Sequence, residues 1–512
     1  MNKKFSFLRF ILLVAIVIIT SCSKKGETPV VDASKIWEEP DMTKMTKITS
    51  LQKLMAQKAV KPANENNPFA IHKLTADPCV LVYKDTVYVY GTNDAQQAEV
   101  TLGMKPNGFE RINTLNVYSS KDLVNWTDCG EIPVAGENNP KGPAKWANNS
   151  WAPAIAYKTI NGKDKFFLYF ADNGSGIGVL TADSPTGPFT DPIGTQLVSR
   201  QTPNTDGVYW LFDPAVFVDD DGTGYLYYGG GVQDDIAHPK SARCVQLGED
   251  MISIVGTPKE IDAPWLFEDS GINKINGKYV YSYCANWSDR TGATGEVPPT
   301  AVIAYMTSDN PLGPFKYAGY TLENPGTYYG PWGNNHHWMF KFKDDWYIAY
   351  HGQTTEKLVG FTGGGYRSLF VNKIEVNADG TLPIQKVSKA GCEKLCDFNA
   401  YDTVPAATFH SFANVAVSSK QTLVPIKNGA WILVKNVDLS KGVKSVKVSA
   451  TEQSNGQLIF ALDKPNKDNI LATVEVSGAE NTVEVNVPAD TNARNIYIMF
   501  QGTVELVSWE LK

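Results

Sequence analysis

The stretch YWLFDPAVFVDDDGTGYLYYGGG, residues 209–231, contains a short alternating strand, a polar turn and a second alternating strand rich in tyrosine. That is the pattern of a β-hairpin. It also raises a question of roles, because Asp213, Asp219, Asp220 and Asp221 fall within nine positions. The last three sit where the chain must reverse, and Asp followed by Gly222 suits the backbone of a tight turn. An EF-hand loop starting at Asp219 would need glutamate at its twelfth position, where this chain has Gly230. Asp213 stands apart, at the entry to the first strand.

The hairpin recurs. DPCVLVYKDTVYVYGT (77–92), WAPAIAYKTINGKDKFFLYF (151–170), DPAVFVDDDGTGYLYYGG (213–230), EDSGINKINGKYVYSYC (268–284) and HHWMFKFKDDWYIAYHG (336–352) share its layout. Five such units, roughly 55–80 residues apart, form a radial repeat, and a five-bladed β-propeller is its natural solution; a pair of β-sandwiches is the competing arrangement. From about residue 400 the character changes. AWILVKNVDL, SVKVSAT, QLIFALD, ATVEVSG, TVEVNV and NIYIMFQG follow one another at β-sandwich spacing. The expected fold is all-β: a five-bladed β-propeller over 67–398, then a β-sandwich over 399–512. Residues 23–66 are polar and poor in aromatics and read as a tether, with a short helix around SLQKLMAQKAV.

The N-terminus is basic (MNKKFSFLRF), then apolar for about 12 residues, then ITSC. This is a secretory leader, too short to span a membrane, which takes roughly 20. Small residues before Cys22 give it the look of a bacterial lipoprotein signal: leader 1–21, lipidation at Cys22, a tether over 22–66, and anchorage to the outer membrane on its periplasmic or outer face. The net charge of −7, with no basic cluster beyond the leader, speaks against nucleic acid as a partner. Aromatics at 11 %, with 12 Trp and 23 Tyr, suggest flat apolar binding surfaces. The other cysteines have no metal-site spacing, and GCEKLC (391–396) fits either a local disulfide or two free thiols. The chain is expected to act as a monomer.

Aligned hairpins place Asp77, Trp151, Asp213, Glu268 and His336 at the same point of each repeat, hence around one end of a central axis. Carboxylates, a histidine and an indole around one pocket suit glycoside hydrolysis, which needs an acid for the leaving oxygen and a base or nucleophile. Mutual repulsion keeps one carboxyl protonated. A metal site is the alternative, and His336 is as easily structural as functional.

At these residues the chain resembles glycoside hydrolase family 43, over roughly residues 67–400. The likeness is carried by ADP (76–78), the run INGKDKFFLYFADNGSGIGVLTADSPTGPFTDPIG (160–194), WLFDPAVFVDDDGTGYLY (210–227), FEDSG (267–271), GNNHH (333–337) and GYRS (365–368). Within the family it is nearest to bacterial arabinoxylan arabinofuranohydrolases. The resemblance implies an inverting enzyme with Asp77 as general base, Glu268 as general acid and Asp213 as the third carboxylate. It implies substrate contacts from Trp151, Trp210, Asn335, His336 and Arg367. No cofactor is needed for the chemistry; a structural calcium held by His336 through water is implied in the propeller channel. The expected substrates are arabinoxylan and xylan-derived oligosaccharides, with release of α-L-arabinofuranose. A β-xylosidase on the same scaffold and an inactive glycan-binding lipoprotein are the alternatives. The C-terminal part resembles carbohydrate-binding module family 6, best at NGAWILVKNVDL with Trp431. It departs where that family holds a calcium: Pro405 and Ala407 replace two glutamates, and Glu505 and Val507 replace an Asn and an Asp.

Overall fold

The computed structural model describes residues 39–512 apart from Gln233. The leader, Cys22 and the first part of the tether lie outside the described residues.

Each repeat forms its own antiparallel sheet. The first contains β1 (Ala76–Tyr83), β2 (Thr86–Thr92), β3 (Thr114–Ser120) and β4 (Trp126–Pro133). The second contains β5 (Trp151–Ile160), β6 (Lys163–Ala171) and β7 (Ile177–Ala182). The third contains β8 (Ala215–Val218), β9 (Gly224–Tyr228), β10 (Ala242–Leu247) and β11 (Ile254–Ile261). The fourth contains β12 (Leu266–Ile275), β13 (Lys278–Ala285), β14 (Ile303–Ser308) and β15 (Lys316–Leu322). The fifth contains β16 (His337–Phe342), β17 (Asp345–Gly352) and β18 (Ser368–Ile374). The first strands touch in cyclic order: β1 meets β5, β5 meets β8, β8 meets β12, β12 meets β16, and β16 meets β1. Between sheets the packing is aliphatic and aromatic, with Tyr90, Tyr169, Tyr227 and Tyr281 fully buried.

The strand entries share a device. In the ladder of β1 with β2, Ala76 pairs with Thr92 and Cys79 with Tyr90, so Asp77 and Pro78 are skipped. Ala152 and Pro153 are skipped in β5, and Asp269 and Ser270 in β12. Before β8 the Trp210–Gly230 bridge and the Ala215–Tyr227 pair leave out Asp213 and Pro214. The first skipped residue is left-handed in all four: φ is +48° at Asp77, +39° at Ala152, +47° at Asp213 and +70° at Asp269. Aspartate visits that region more readily than most residues, and proline, with no N–H to pair, is suited to a bulge. Bulges re-aim side chains next to functional sites. The backbone therefore corrects the sequence alignment by one residue in two repeats. Ala152 and Asp269, not Trp151 and Glu268, are the counterparts of Asp77 and Asp213.

The hairpin turn behaves as expected. Asp221 accepts the Thr223 N–H at 2.8 Å, and Gly222 takes φ +81°. Asp219 and Asp220 accept from Lys274 of β12 at 2.6 and 2.8 Å. These three aspartates turn the chain and fasten it to the next sheet.

The C-terminal unit is a sandwich of two antiparallel sheets. One is ordered Val415–Val417, Leu423–Pro425, Leu506–Leu511, Val443–Ala450, Glu480–Val487; the other Ser411–Ala413, Ala430–Leu439, Asp490–Thr503, Asn455–Leu462, Ile470–Ser477. A short strand at its start, Thr408–Phe409, pairs with β4 and extends the first sheet. Residues 39–66 are not a free tether. Helix α1 (Ser50–Lys58) forms where expected, closed at its start by a capping box between Thr49 and Gln52. Its buried Leu51 and Met55 join the sandwich core, while Met45, Ile48 and Ala56 pack on Ala416 and Val424. Glu505 is buried and accepts from Thr46 N–H at 2.7 Å and Thr422 Oγ1 at 2.6 Å, so it ties this strap to the sandwich. All six described cysteines are free, Cys392 buried and Cys396 exposed.

Candidate active site

A cavity of about 1030 Å³ opens where the strand entries converge. Asp77, Trp151, Trp210, Asp213, Glu268, His336 and Arg367 all line it. Asn335 does not: it is fully buried with its amide bonded to the Ala301 carbonyl at 3.1 Å, and Asn334 lines the cavity instead.

Arg367, just ahead of β18, is buried and saturated with carboxylate contacts. Its Nη1 donates to Asp77 Oδ1 at 2.7 Å. Its Nε and Nη2 form a fork on Asp94 at 2.9 and 2.8 Å, and its backbone N–H donates to the same carboxylate at 3.0 Å. Asp94 opens helix α2 (Asp94–Thr101), directly after β2. The expectation for Arg367 was substrate contact; the structure adds a charge clamp on Asp77. The guanidinium also lies 5.0 Å from the centre of the Phe109 ring.

These contacts set the protonation states. Burial alone would raise the Asp77 pKa, but the Arg367 charge, with His351 and His336 close by, holds it well below the usual carboxylate range. Glu268 goes the other way. Burial, then the charges of Asp213 and Asp77, push it well above its ordinary value. Its Oε1 is buried without a hydrogen-bond partner among the described residues. Asp213 is also raised well above its ordinary value, by burial and then by Asp77, against the pull of the Asp269 N–H donated to its Oδ2 at 3.0 Å. The cavity therefore holds a carboxylate kept ionised, Asp77, together with a carboxyl kept protonated, Glu268.

Histidines fix the floor. His336 Nδ1 lies 3.6 Å from Asp77 Oδ1 and 3.8 Å from Asp213 Oδ2, and its Nε2 lies 3.1 Å from Asp269 Oδ1. Burial lowers its pKa, opposed by Asp269 and Asp77. Asp269 also binds the ring and backbone N–H of His337. The Asp77 N–H donates to His351 Nδ1 at 3.0 Å, so the His351 proton is on Nε2, which donates to the Asn334 carbonyl at 2.9 Å. Among the described residues no three His, Cys, Asp or Glu side chains converge as direct metal ligands. A cation at His336 would have to be held through water, and no step of the reaction is routed through one.

Two indoles shape the walls. Trp151 donates to the Phe109 carbonyl at 3.1 Å, which fixes its plane. Trp210 packs against Phe212 and Phe267 and rests on Gly174, where a Cβ would approach its Cδ1 to 3.0 Å. Asp94, Asp269, His337 and His351 were missed in the sequence. Pro78, Pro153 and Pro214 mark the bulge in three repeats, but the fourth has Ser270 in that place, so the signal that corrects Trp151 to Ala152 does not reach Asp269.

A buried base held ionised beside a buried acid held protonated, under an open cavity, is the equipment of a glycoside hydrolase. Comparison with known proteins agrees: the family model "Glycosyl hydrolases family 43" matches residues 66–382, and "Carbohydrate binding module (family 6)" matches 400–512. The chain belongs to glycoside hydrolase family 43, a family of inverting hydrolases built on a β-propeller that need no cofactor for catalysis. It is 46 % identical over 465 residues to an arabinoxylan arabinofuranohydrolase of Paenibacillus polymyxa, covering 86 % of this chain and 72 % of that one. It is 46 % identical over 468 residues to the arabinoxylan arabinofuranohydrolase of Bacillus subtilis, covering 86 % and 90 %. A crystal structure of a Bacillus subtilis arabinoxylan arabinofuranohydrolase in complex with cellotetraose superposes with a TM-score of 0.83 at 43 % identity, covering 90 % of this chain and 99 % of that one.

Proposed function

We propose that the enzyme removes α-L-arabinofuranose side chains from arabinoxylan or its oligosaccharides, on a five-bladed propeller. In this reading Asp77 takes a proton from water as the water attacks the anomeric carbon. Glu268 gives its proton to the departing xylose oxygen, and the configuration inverts. Asp213 sustains the proton on Glu268 by its proximity, and Asp269 orients His336 beneath the sugar. The observation that carries the reading is the opposite setting of two acids that line one cavity: Asp77 driven down by Arg367, Glu268 driven up by burial with its Oε1 unpaired among the described residues. The cavity lies at the top of the usual range of about 300–1,000 Å³ for small-ligand sites, room for a side-chain sugar with part of its main chain. The substrate preference is supported by the two relatives at 46 % identity. We further propose that leader 1–21 is removed and that Cys22 carries a lipid anchor to the outer membrane.

Incubation of residues 23–512 with wheat arabinoxylan and with xylobiose tests the substrate. Arabinose from the first and nothing from the second is expected; xylose from xylobiose would move the assignment to a β-xylosidase.

Asp213→Asn tests the coupling. Removing a neighbouring negative charge makes ionised Glu268 less unfavourable, so its pKa falls. The alkaline limb of the kcat/KM profile should shift to lower pH while the acid limb, set by Asp77, stays. An unmoved alkaline limb would separate Asp213 from the acid.

A further inference from the structure

Three basic side chains converge where the strap, the propeller and the sandwich meet, and each is bonded to neutral groups. Lys61 is buried and donates to the Asn66 and Pro68 carbonyls at 3.0 and 2.9 Å. Lys435, on the sandwich strand Ala430–Leu439, donates to the Ala63 carbonyl at 3.1 Å and to Asn66 Oδ1 at 3.2 Å. His410 is buried at the crossing between the strand that pairs with β4 and the sandwich strand Ser411–Ala413. Its Nε2 lies 2.9 Å from Asn66 Oδ1, and its Nδ1 lies 3.1 Å from Ser411 Oγ. Asn66 Nδ2 donates to the Cys392 carbonyl at 2.6 Å, which turns the amide oxygen toward the two sandwich bases. Nε2 of His410 therefore donates to it, and Nδ1 accepts from the serine, as in a neutral ring. The Asn66 and Asn67 N–H groups donate to the Ala390 and Lys389 carbonyls at 3.2 and 3.0 Å. One asparagine of the strap thus ties the end of the propeller to two bases of the sandwich.

The joint is short of negative charge. Glu65 is the acid that acts on Lys61, and the His410 ring is opposed by Lys61 and Lys435 together. Asp122, between β3 and β4, acts on Lys435, and its carboxylate is already bonded to Ser120, Val124 and Asn125. The segment 388–392 faces the strap through backbone carbonyls. Burial, then the Lys435 charge, bring the Lys61 pKa down to about 7. Burial, then Lys61 and Lys435, hold His410 well below its ordinary value.

We propose that this joint is an acid-sensitive latch, closed near neutral pH and released when His410 and Lys61 become cationic, which frees residues 61–68 from the sandwich. Both bases act with the same sign. Exposed to water, a histidine titrates near 6.5 and a lysine near 10.4. Each binds its proton less readily in the closed joint, so acid favours the open one. For Lys61 the closed joint loses stability between about pH 10.4 and 7, and that loss is complete in acid. For His410 the loss begins near pH 6.5 and deepens as the pH falls further.

Hydrogen exchange of residues 23–512, followed by mass spectrometry at pH 7.5 and 5.5 and corrected for intrinsic exchange, tests the latch. Opening of peptides covering 61–68 and 408–413 should rise about tenfold or more between the two, the factor that one histidine of ordinary pKa contributes on exposure. Peptides of β1 and β2 should keep their protection. His410→Gln retains an amide that can donate to Asn66 and does not titrate, so only the smaller share of Lys61 should remain. Lys61→Met, measured alongside, should keep the His410 share. No rise in wild type would overturn the latch, as would a rise undiminished in both variants. A rise spread equally over β1 and β2 would also overturn it, because the chain would then be opening as a whole.

Discussion

Glu268→Gln should lower kcat on arabinoxylan by about 10²–10⁴-fold, the usual contribution of a positioned general acid. The glutamine keeps the shape of the side chain and loses the transferable proton. The size of the loss should depend on the leaving group. A xylose oxygen departs as a poor leaving group unless protonated, whereas a dinitrophenolate needs little help. On a dinitrophenyl arabinofuranoside the variant should therefore retain much of wild-type kcat. Asp77→Asn should be impaired on both substrates, because water must be activated whatever leaves. A Glu268→Gln deficit of equal size on both substrates would remove Glu268 from the acid role. The prediction follows from its setting: a carboxyl that lines the cavity, with its Oε1 buried and unpaired among the described residues and its pKa raised by burial and then by Asp213 and Asp77. Unfolding is a lesser concern here, since the substitution takes a raised-pKa carboxyl to a neutral amide in a place that disfavours charge.

The sheets were legible in the chain because alternation and turn chemistry are local. Each hairpin announces itself within about twenty residues, and Asp219, Asp220 and Asp221 could be set aside from Asp213 on turn preference alone. The convergence of Asp77, Asp213 and Glu268 followed from their place in the repeat. The offset at Trp151 and Glu268 did not, because a bulge interrupts the period of two and alternation cannot say on which residue it falls. Asp94 and His351 were invisible for another reason. Asp94 opens a helix and His351 lies near the end of a strand, each with a partner 273 or 274 positions away, and no local pattern encodes such a pair. The strap misled by composition. Residues 39–66 are polar, and the few apolar positions that dock them, Met45, Ile48, Leu51 and Met55, are too sparse to advertise a buried face. Asn335 shows the limit of a motif: the stretch GNNHH lies at the site, yet Asn334 rather than Asn335 faces the cavity.

The base, unlike the acid, depends on a residue that touches no substrate. Asp94→Asn is expected to weaken catalysis through Arg367. In the native site Asp94 accepts from Arg367 three times, at Nε, Nη2 and the backbone N–H, leaving Nη1 directed at Asp77. An asparagine turns one acceptor into a donor facing a guanidinium, so the fork is lost and a buried cation keeps only Asp77. Breaking one partner of a buried pair costs about 3–5 kcal/mol when nothing replaces it, so a clear fall in Tm is expected. The pH dependence separates positioning from simple destabilisation. Arg367 favours ionised Asp77; with the guanidinium loosened, the Asp77 pKa rises toward its ordinary value. The acid limb of kcat/KM should therefore move to higher pH, while the alkaline limb, belonging to Glu268 and Asp213, stays. Stability should follow the same sign. A carboxyl whose folded pKa is depressed stabilises the fold above its unfolded value of about 3.9 and loses that contribution as pH falls toward the folded pKa. The difference in Tm between wild type and Asp94→Asn should thus be full above about pH 4 and narrow in more acidic solution. If Tm drops and the acid limb does not move, Asp94 only braces the fold, and Arg367 keeps its hold on Asp77 without it.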